Sequence, residues 1–312
     1  MENHPELLRM KERDTKIRDW SLWGSYLSDR QWGTVREDYS ADGDAWAFFP
    51  FEHARSRVYR WGEDGLLGIT DYNNLLCFAP TFWNGKDRIL KDRLFGLSNP
   101  QGNHGEDIKE YFYHLENMPT HSFMRGLYKY PQAAFPYGQL IEENARRSRS
   151  EPEYELVDTG IFDERKYFDI FVDYAKADAD DLCIRIKAIN RGPDPAPLFI
   201  LPTLWFRNIW SWGEKEIVKP TMRLSEDKQS IIAHPFGLPE YQLFCEGASE
   251  FLFTDNETND QKLFHAKNTA AYVKDAFHDY LVDGNHTAVN PQQIGTKATP
   301  LYQKVLAPGE EW

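Results

Sequence analysis

Cysteine is scarce in this chain: Cys77, Cys183 and Cys245 stand far apart, with no disulfide framework and no Cys-x-x-Cys pair for a metal. Long apolar runs are missing too. No stretch approaches the ~20 apolar residues of a spanning helix, and mean hydropathy is −0.65. The opening MENHPELLRM lacks the apolar centre of a signal peptide, so a reducing, cytoplasmic setting is expected, in which the sequons at Asn256 and Asn285 carry little meaning. Basic charge is short, with 36 Lys and Arg against 49 Asp and Glu and a net charge of −13. A nucleic-acid or anionic-membrane partner would need a basic face, and neither is expected.

Several chemistries lack their motifs. No His-Glu-x-x-His or His-x-His spacing surrounds His53, His104, His114 or His121, and Asp178-Ala-Asp180-Asp181 lacks the glycine and terminal Glu of an EF-hand loop. Neither the dinucleotide nor the P-loop glycine pattern is completed, and no Gly-x-Ser-x-Gly elbow occurs. The cysteines sit in apolar runs, as inert core thiols do. No metal and no cofactor is expected.

What the chain has is aromatic: 10 Trp, 16 Tyr and 20 Phe among 312 residues, a content that disordered chains do not carry. Leu7, Met10, Ile17 and Trp20 recur among charges and predict a short helix within 6–20, and Ile141–Arg149 offers a second. From about residue 105, period two dominates. Phe168, Ile170, Val172 and Tyr174 alternate with Asp169 and Asp173. Leu182, Ile184, Ile186 and Ala188 repeat the pattern, and Ala175–Asp181 reads as the connection. Leu198–Trp212 is apolar almost throughout, and shorter strands at Gln242–Cys245 and Phe251–Thr254 flank a turn at Gly247. The expected class is mainly β, antiparallel, in two stacked sheets. Residues 1–50 read as an N-terminal helix and irregular docking segment, and 51–312 as a β-sandwich, together one structural domain. At the end, LYQKVLAPGEEW gives a strand and a Pro308-Gly309 turn, then stops where a return strand would begin. Either the last strand pairs elsewhere, or the sequence is the front part of a longer protein.

Three clusters suit carbohydrate, whose faces stack on aromatics and whose hydroxyls take paired bonds from Arg, amide and carboxylate groups. They are Arg30, Gln31, Trp32, Glu37, Asp38 and Tyr39; Arg60, Trp61, Glu63 and Asp64; and His104, Glu106, Asp107 and Lys109. The bland alternative is surface turns or buried Arg–carboxylate staples. Glycoside hydrolysis needs two converging carboxyls, and adjacent ones such as Glu63 and Asp64 point to opposite faces of a strand. The indoles Trp20, Trp23, Trp32, Trp46 and Trp61, with loop 102–110, are expected to form one partly apolar face.

The stretches WGSYLSDRQWGTVREDYS (23–40), ARSRVYRWGEDG (54–65), FWNGKDRILKDRLFGL (82–97), GNHGEDIKEYFYHLENMPTHS (102–122), KYPQAAFPY (129–137) and LPTLWFRNIWSW (201–212) resemble bacterial members of glycoside hydrolase family 63. These are labelled glucosidases or mannosyl-oligosaccharide-glucosidase-like proteins. The resemblance spans nearly the whole chain. It implies an N-terminal β-supersandwich of galactose-mutarotase type, followed by an (α/α)6 barrel carrying both catalytic carboxylates. The chain resembles the first part only, so no catalytic residue is carried over and the chain alone is expected to be inactive. The implied partners are the helical catalytic domain, within a longer chain or separately encoded, and an oligosaccharide or small glucoside. The three clusters then become candidates for substrate contact or domain docking. Two other readings stay open: a free carbohydrate-binding protein using Trp32 and Trp61 as a platform, and a self-contained hydrolase with a carboxylate pair drawn from two clusters.

Overall fold

The computed structural model describes residues 4–25, 50–58, 64–97, 101–104, 107–213 and 216–312. In chain order the strands are β1 (Trp23–Ser25), β2 (Ile69–Asp71), β3 (Leu76–Trp83), β4 (Gly96–Leu97), β5 (Asp107–Ile108), β6 (Phe112–Asn117), β7 (Phe123–Pro131) and β8 (Tyr167–Asp178). There follow β9 (Asp181–Asn190), β10 (Ala196–Phe206), β11 (Thr221–Leu224), β12 (Ser230–His234), β13 (Tyr241–Phe244), β14 (Glu250–Thr254), β15 (Ile294–Gly295) and β16 (Lys297–Leu306). The helices are short, so the protein is mainly β, as its alternating pattern requires.

Two antiparallel sheets face one another. One has the order β1-β2-β3-β10-β16-β14, the other β6-β7-β8-β9, and a flanking sheet runs β13-β12-β11-β15. Their shared interior is built from alternate residues, because successive side chains on a strand point to opposite faces. Phe78 and Phe82 of β3 and Leu198 of β10 meet Tyr128 and Tyr130 of β7 and Phe168, Ile170 and Val172 of β8. Phe82 stacks on Tyr128 with centroids 5.9 Å apart, and Phe78 meets Tyr174 edge-on at 6.1 Å.

The β8–β9 hairpin has the expected facing, with Val172 opposite Ile186 and Tyr174 opposite Ile184. The expected seven-residue connection does not form. Strand β8 continues to Asp178, which pairs with Asp181, so only Ala179 and Asp180 turn the chain. The polar run conceals a strand because Lys176 points inward and donates to the carbonyls of Trp20, Trp23 and Thr120. The apolar run from Leu198 likewise divides: β10 ends at Phe206, and Trp210–Trp212 forms a 3-10 turn. Strands β13 and β14 flank Gly247, whose φ is +68°, yet join different sheets.

The N-terminal helix, Pro5–Asp14, is held by charge rather than by an apolar stripe. Leu7 and Leu8 are about half exposed, whereas Glu6 is buried and accepts from the Thr120 amide and the Thr120 and Ser122 hydroxyls. Burial pushes the Glu6 carboxyl up, but these bonds and Arg9 outweigh it and hold it below its usual range. Trp20 and Trp23 are each 4% exposed, so these two indoles are interior anchors and not part of an open face. Trp32, Trp46 and Trp61 lie outside the described residues.

The last strand does pair elsewhere. β16 lies between β10 and β14, and after the Pro308-Gly309 turn, Trp312 exchanges both backbone hydrogen bonds with Ala188. No helix among the described residues is long and apolar enough to cross a membrane.

Candidate functional site

Beside the sandwich lies a second apolar cluster containing Ile89, Phe95, Phe135, Tyr137 and Leu140. It carries a cleft of about 420 Å³, within the size range of small-molecule sites. The floor is aromatic and aliphatic: Phe95 and Ile89 from the segment after β3, Tyr137 and Ile141 from the helix Tyr137–Arg146, and Phe51 from the 3-10 turn Phe51–His53. Phe51 and Tyr137 stack at 5.9 Å, and Phe95 meets Phe51 edge-on at 4.8 Å. The walls are charged: Glu52, Arg55 and Arg88 on one side, and Lys262, His278 and Asp283 from the excursion between β14 and β15. Two smaller hollows, of 10 and 20 Å³, hold no more than a water or two.

Buried polar staples fix these walls. Lys274 is 1% exposed and donates to the carbonyls of Ala54 and Arg57 and to Asp64, tying the 3-10 turn to the excursion. Burial pushes the Lys274 ammonium down and the Asp64 carboxyl up, and the attraction of each for the other opposes the shift. Asp275 accepts from the Ser56 hydroxyl at 2.6 Å, from Asn259 at 3.0 Å and from Lys262 at 2.9 Å. Burial alone would raise its pKa, but these donors hold it below the usual carboxylate range. Under the floor, Glu110 is ion-paired with Lys91 and accepts from Tyr128, while Asp87 accepts from Tyr130 and Tyr137. Burial pushes the Asp87 carboxyl up. Both carboxylates are closed off from the cleft mouth, Glu110 at 5% and Asp87 at 2% exposure.

Of the residues singled out from sequence, Arg30, Gln31, Trp32, Glu37, Asp38 and Tyr39 lie outside the described residues, as do Arg60, Trp61, Glu63 and Glu106. Asp64 is placed as Lys274's partner, which makes it a staple. Asp107 contributes its backbone to β5, opposite Leu97. Lys109 is 1% exposed and clamped between Glu153 at 2.6 Å and Glu155 at 2.9 Å. His104 contacts the Glu151 carbonyl at 2.7 Å. Within the third cluster, then, the described side chains dock on the 148–155 segment.

The cleft uses other residues, and sequence reasoning missed them. Its members come from positions 51–55, 88–95, 137–141 and 262–283, so no single stretch displays them. The available signal was type alone: Phe-Glu-x-x-Arg at 51–55 matches the aromatic, carboxylate and guanidinium set sought in the other clusters. The assembled cleft can stack a ring face on its floor and take hydroxyls between Arg55, Arg88, Glu52 and Asp283.

No family model and no solved structure matches the chain. The uncharacterized protein YMR196W of Saccharomyces cerevisiae is 44% identical over a 337-residue alignment covering 97% of this chain and 31% of the yeast protein. The chain thus spans less than a third of the length of the curated relative that it matches.

Proposed function

We propose that this chain is the N-terminal, non-catalytic β-sandwich domain of a family 63-type glycoside hydrolase acting on glucosylated oligosaccharides or small glucosides. In this reading it supports and partly lines the active site of an (α/α)6 catalytic domain. The observation that carries it is the cleft, whose aromatic floor and Arg and carboxylate walls are the equipment for a sugar ring. Two further facts support it. Glu110 and Asp87 are engaged in buried bonds, and Asp169 and Asp173 in part-buried ion pairs with Lys129 and Arg125, in keeping with a catalytic acid and base elsewhere. The yeast relative is also long enough to hold a further domain beside the matched region. The three cysteines are unpaired, which suits a reducing cytoplasmic setting.

The same cleft favours a second reading, a free carbohydrate-binding protein. Purified chain is incubated with aryl α-glucosides and glucosylated oligosaccharides, and turnover and binding are measured together. No turnover above background is expected. Saturable sugar binding by the chain alone selects the binding-protein reading, and no binding without the catalytic domain selects the supporting-domain reading. Turnover abolished by Glu52→Gln, Asp283→Asn or Glu106→Gln overturns both.

A further inference from the structure

On the wall of the cleft, the helix Ala276–Leu281 and the residues just after it bring three ligand-type atoms together. His278 Nδ1 lies 3.7 Å from Asp279 Oδ1 and 3.6 Å from Asp283 Oδ2, and all three atoms fall within 4.8 Å of one another. Donors bound tetrahedrally at ordinary zinc distances stand roughly 3.4 Å apart, so the spacing leaves room for an ion between them with little movement.

The histidine is what lifts this above a chance acidic cluster. His278 is 6% exposed, and its Nδ1 has no hydrogen-bond partner although a buried ring nitrogen ordinarily finds one. Its other nitrogen, Nε2, lies 3.2 Å from the Arg88 carbonyl. That oxygen can only accept, so this contact, shorter than the 3.4 Å to the Arg55 guanidinium that would need a lone pair on Nε2, calls for Nε2–H and leaves a lone pair on Nδ1 beside the two carboxylates. A ligating histidine is commonly fixed in this way, with its second N–H given to a backbone carbonyl.

Two neighbouring cations weigh against a metal. Arg55 Nη1 is 3.4 Å from His278 Nε2, on the side of the ring away from the cluster. Lys262 Nζ is 3.7 Å from Asp279 but held at 2.9 Å by the fully buried Asp275. Counting Asp275, Asp279 and Asp283 against Lys262 and Arg55 leaves the surroundings net negative.

We propose that His278, Asp279 and Asp283 bind a divalent first-row transition-metal ion through one imidazole nitrogen and two carboxylate oxygens, with open positions facing the cleft. A mixed nitrogen and oxygen set suits zinc or manganese better than calcium, which takes oxygen ligands. The open positions would accept hydroxyl oxygens of a ligand on the aromatic floor. The inference does not rest on the glycosidase reading.

Chain freed of metal with EDTA and then of EDTA is titrated with ZnCl2 and MnCl2 by calorimetry, and its Tm is recorded with and without metal. One equivalent is expected to bind and to raise the Tm. Asp283→Asn and Asp279→Asn are each expected to weaken binding at least tenfold and to remove the metal-induced rise, with the metal-free Tm kept near the parent's. Lys262→Gln is expected to tighten binding, because it removes a competing cation. No binding at millimolar metal overturns the site, as does binding that both carboxylate variants leave unchanged.

Discussion

The sandwich interior and the staples behind the cleft wall are equally well buried yet hold together by opposite means. Between the sheets, Phe168, Ile170 and Val172 are fully buried among other apolar groups, and dispersion and water exclusion do the stabilising. Around the cleft, the buried groups are Lys274 and Lys91, which donate to carboxylates and carbonyls, and Asp275, which accepts from Ser56, Asn259 and Lys262. An apolar interior tolerates other apolar side chains of the right volume, whereas a buried charge tolerates only its own partners. The first arrangement therefore writes a period into the sequence, and the second writes none.

The largest effect that separates the two regions comes from putting a charge in the apolar one. Ile170→Asp places an unpaired carboxylate at a site with 0% exposure and should cost about 4 kcal/mol or more. Ile184→Asp, on the half-buried edge strand β9, should cost about half as much, since that carboxylate reaches water. Urea unfolding of both checks the order, and equal losses would mean that Ile184 is as fully withdrawn from water as Ile170.

Next comes removal of a charge from the polar region. Lys274→Met leaves Asp64 without its main partner and strips a donor from the Ala54 and Arg57 carbonyls. Breaking such a buried pair should cost about 3 kcal/mol. Adding Asp64→Asn should recover part of the loss, because the orphaned charge is then gone. A double variant less stable than Lys274→Met by the full cost of Asp64→Asn alone would show that the two residues act independently.

These energetics explain what could be read from sequence. The β8–β9 facing was legible because its inward residues recur every second position. The true length of β8 was not, since Lys176 looks like loop composition and its three carbonyl acceptors are remote in sequence. The helix at Pro5–Asp14 was legible in place but not in docking, because the buried residue is Glu6 and its partners stand at 120 and 122. The cleft was legible only as residue type at 51–55 and not as a site. Its parts, drawn from 51–55, 88–95, 137–141 and 262–283, meet only after the chain has folded.

A subtler effect follows from Lys176, whose ammonium burial pushes down to about 8. A lysine with a folded pKa below its unfolded value binds fewer protons when folded, so stability rises with pH between about 8 and its unfolded pKa near 10.4. Below pH 8 that gain is absent. The Tm gap between the parent and Lys176→Met should therefore widen as pH rises from 7.5 to 10, the variant serving as the non-titrating reference. A gap that narrows instead would mean that the three carbonyls favour the charged form more strongly than burial disfavours it.

The smallest expected change in stability falls where the largest change in binding is expected. Glu52 and Arg88 are both exposed on the cleft rim. Arg88 lies over the Tyr137 ring at 5.1 Å, a cation–π contact at an exposed site worth about 0.5–1 kcal/mol. Surface substitutions without a buried partner usually stay within about 0.5 kcal/mol. Glu52→Gln should thus leave the Tm within a degree or two of the parent, and Arg88→Gln should lower it only slightly. If the cleft receives a sugar ring, each variant removes a charged partner of its hydroxyls. Charge-assisted bonds are worth about 1.5–3 kcal/mol, which corresponds to roughly a ten- to hundredfold loss of affinity. Calorimetric titration with a glucosylated oligosaccharide, using the chain together with the proposed helical domain if the chain alone does not bind, reads that loss directly. Unchanged affinity in both variants would remove the cleft from the binding surface and leave it a feature of the wall alone.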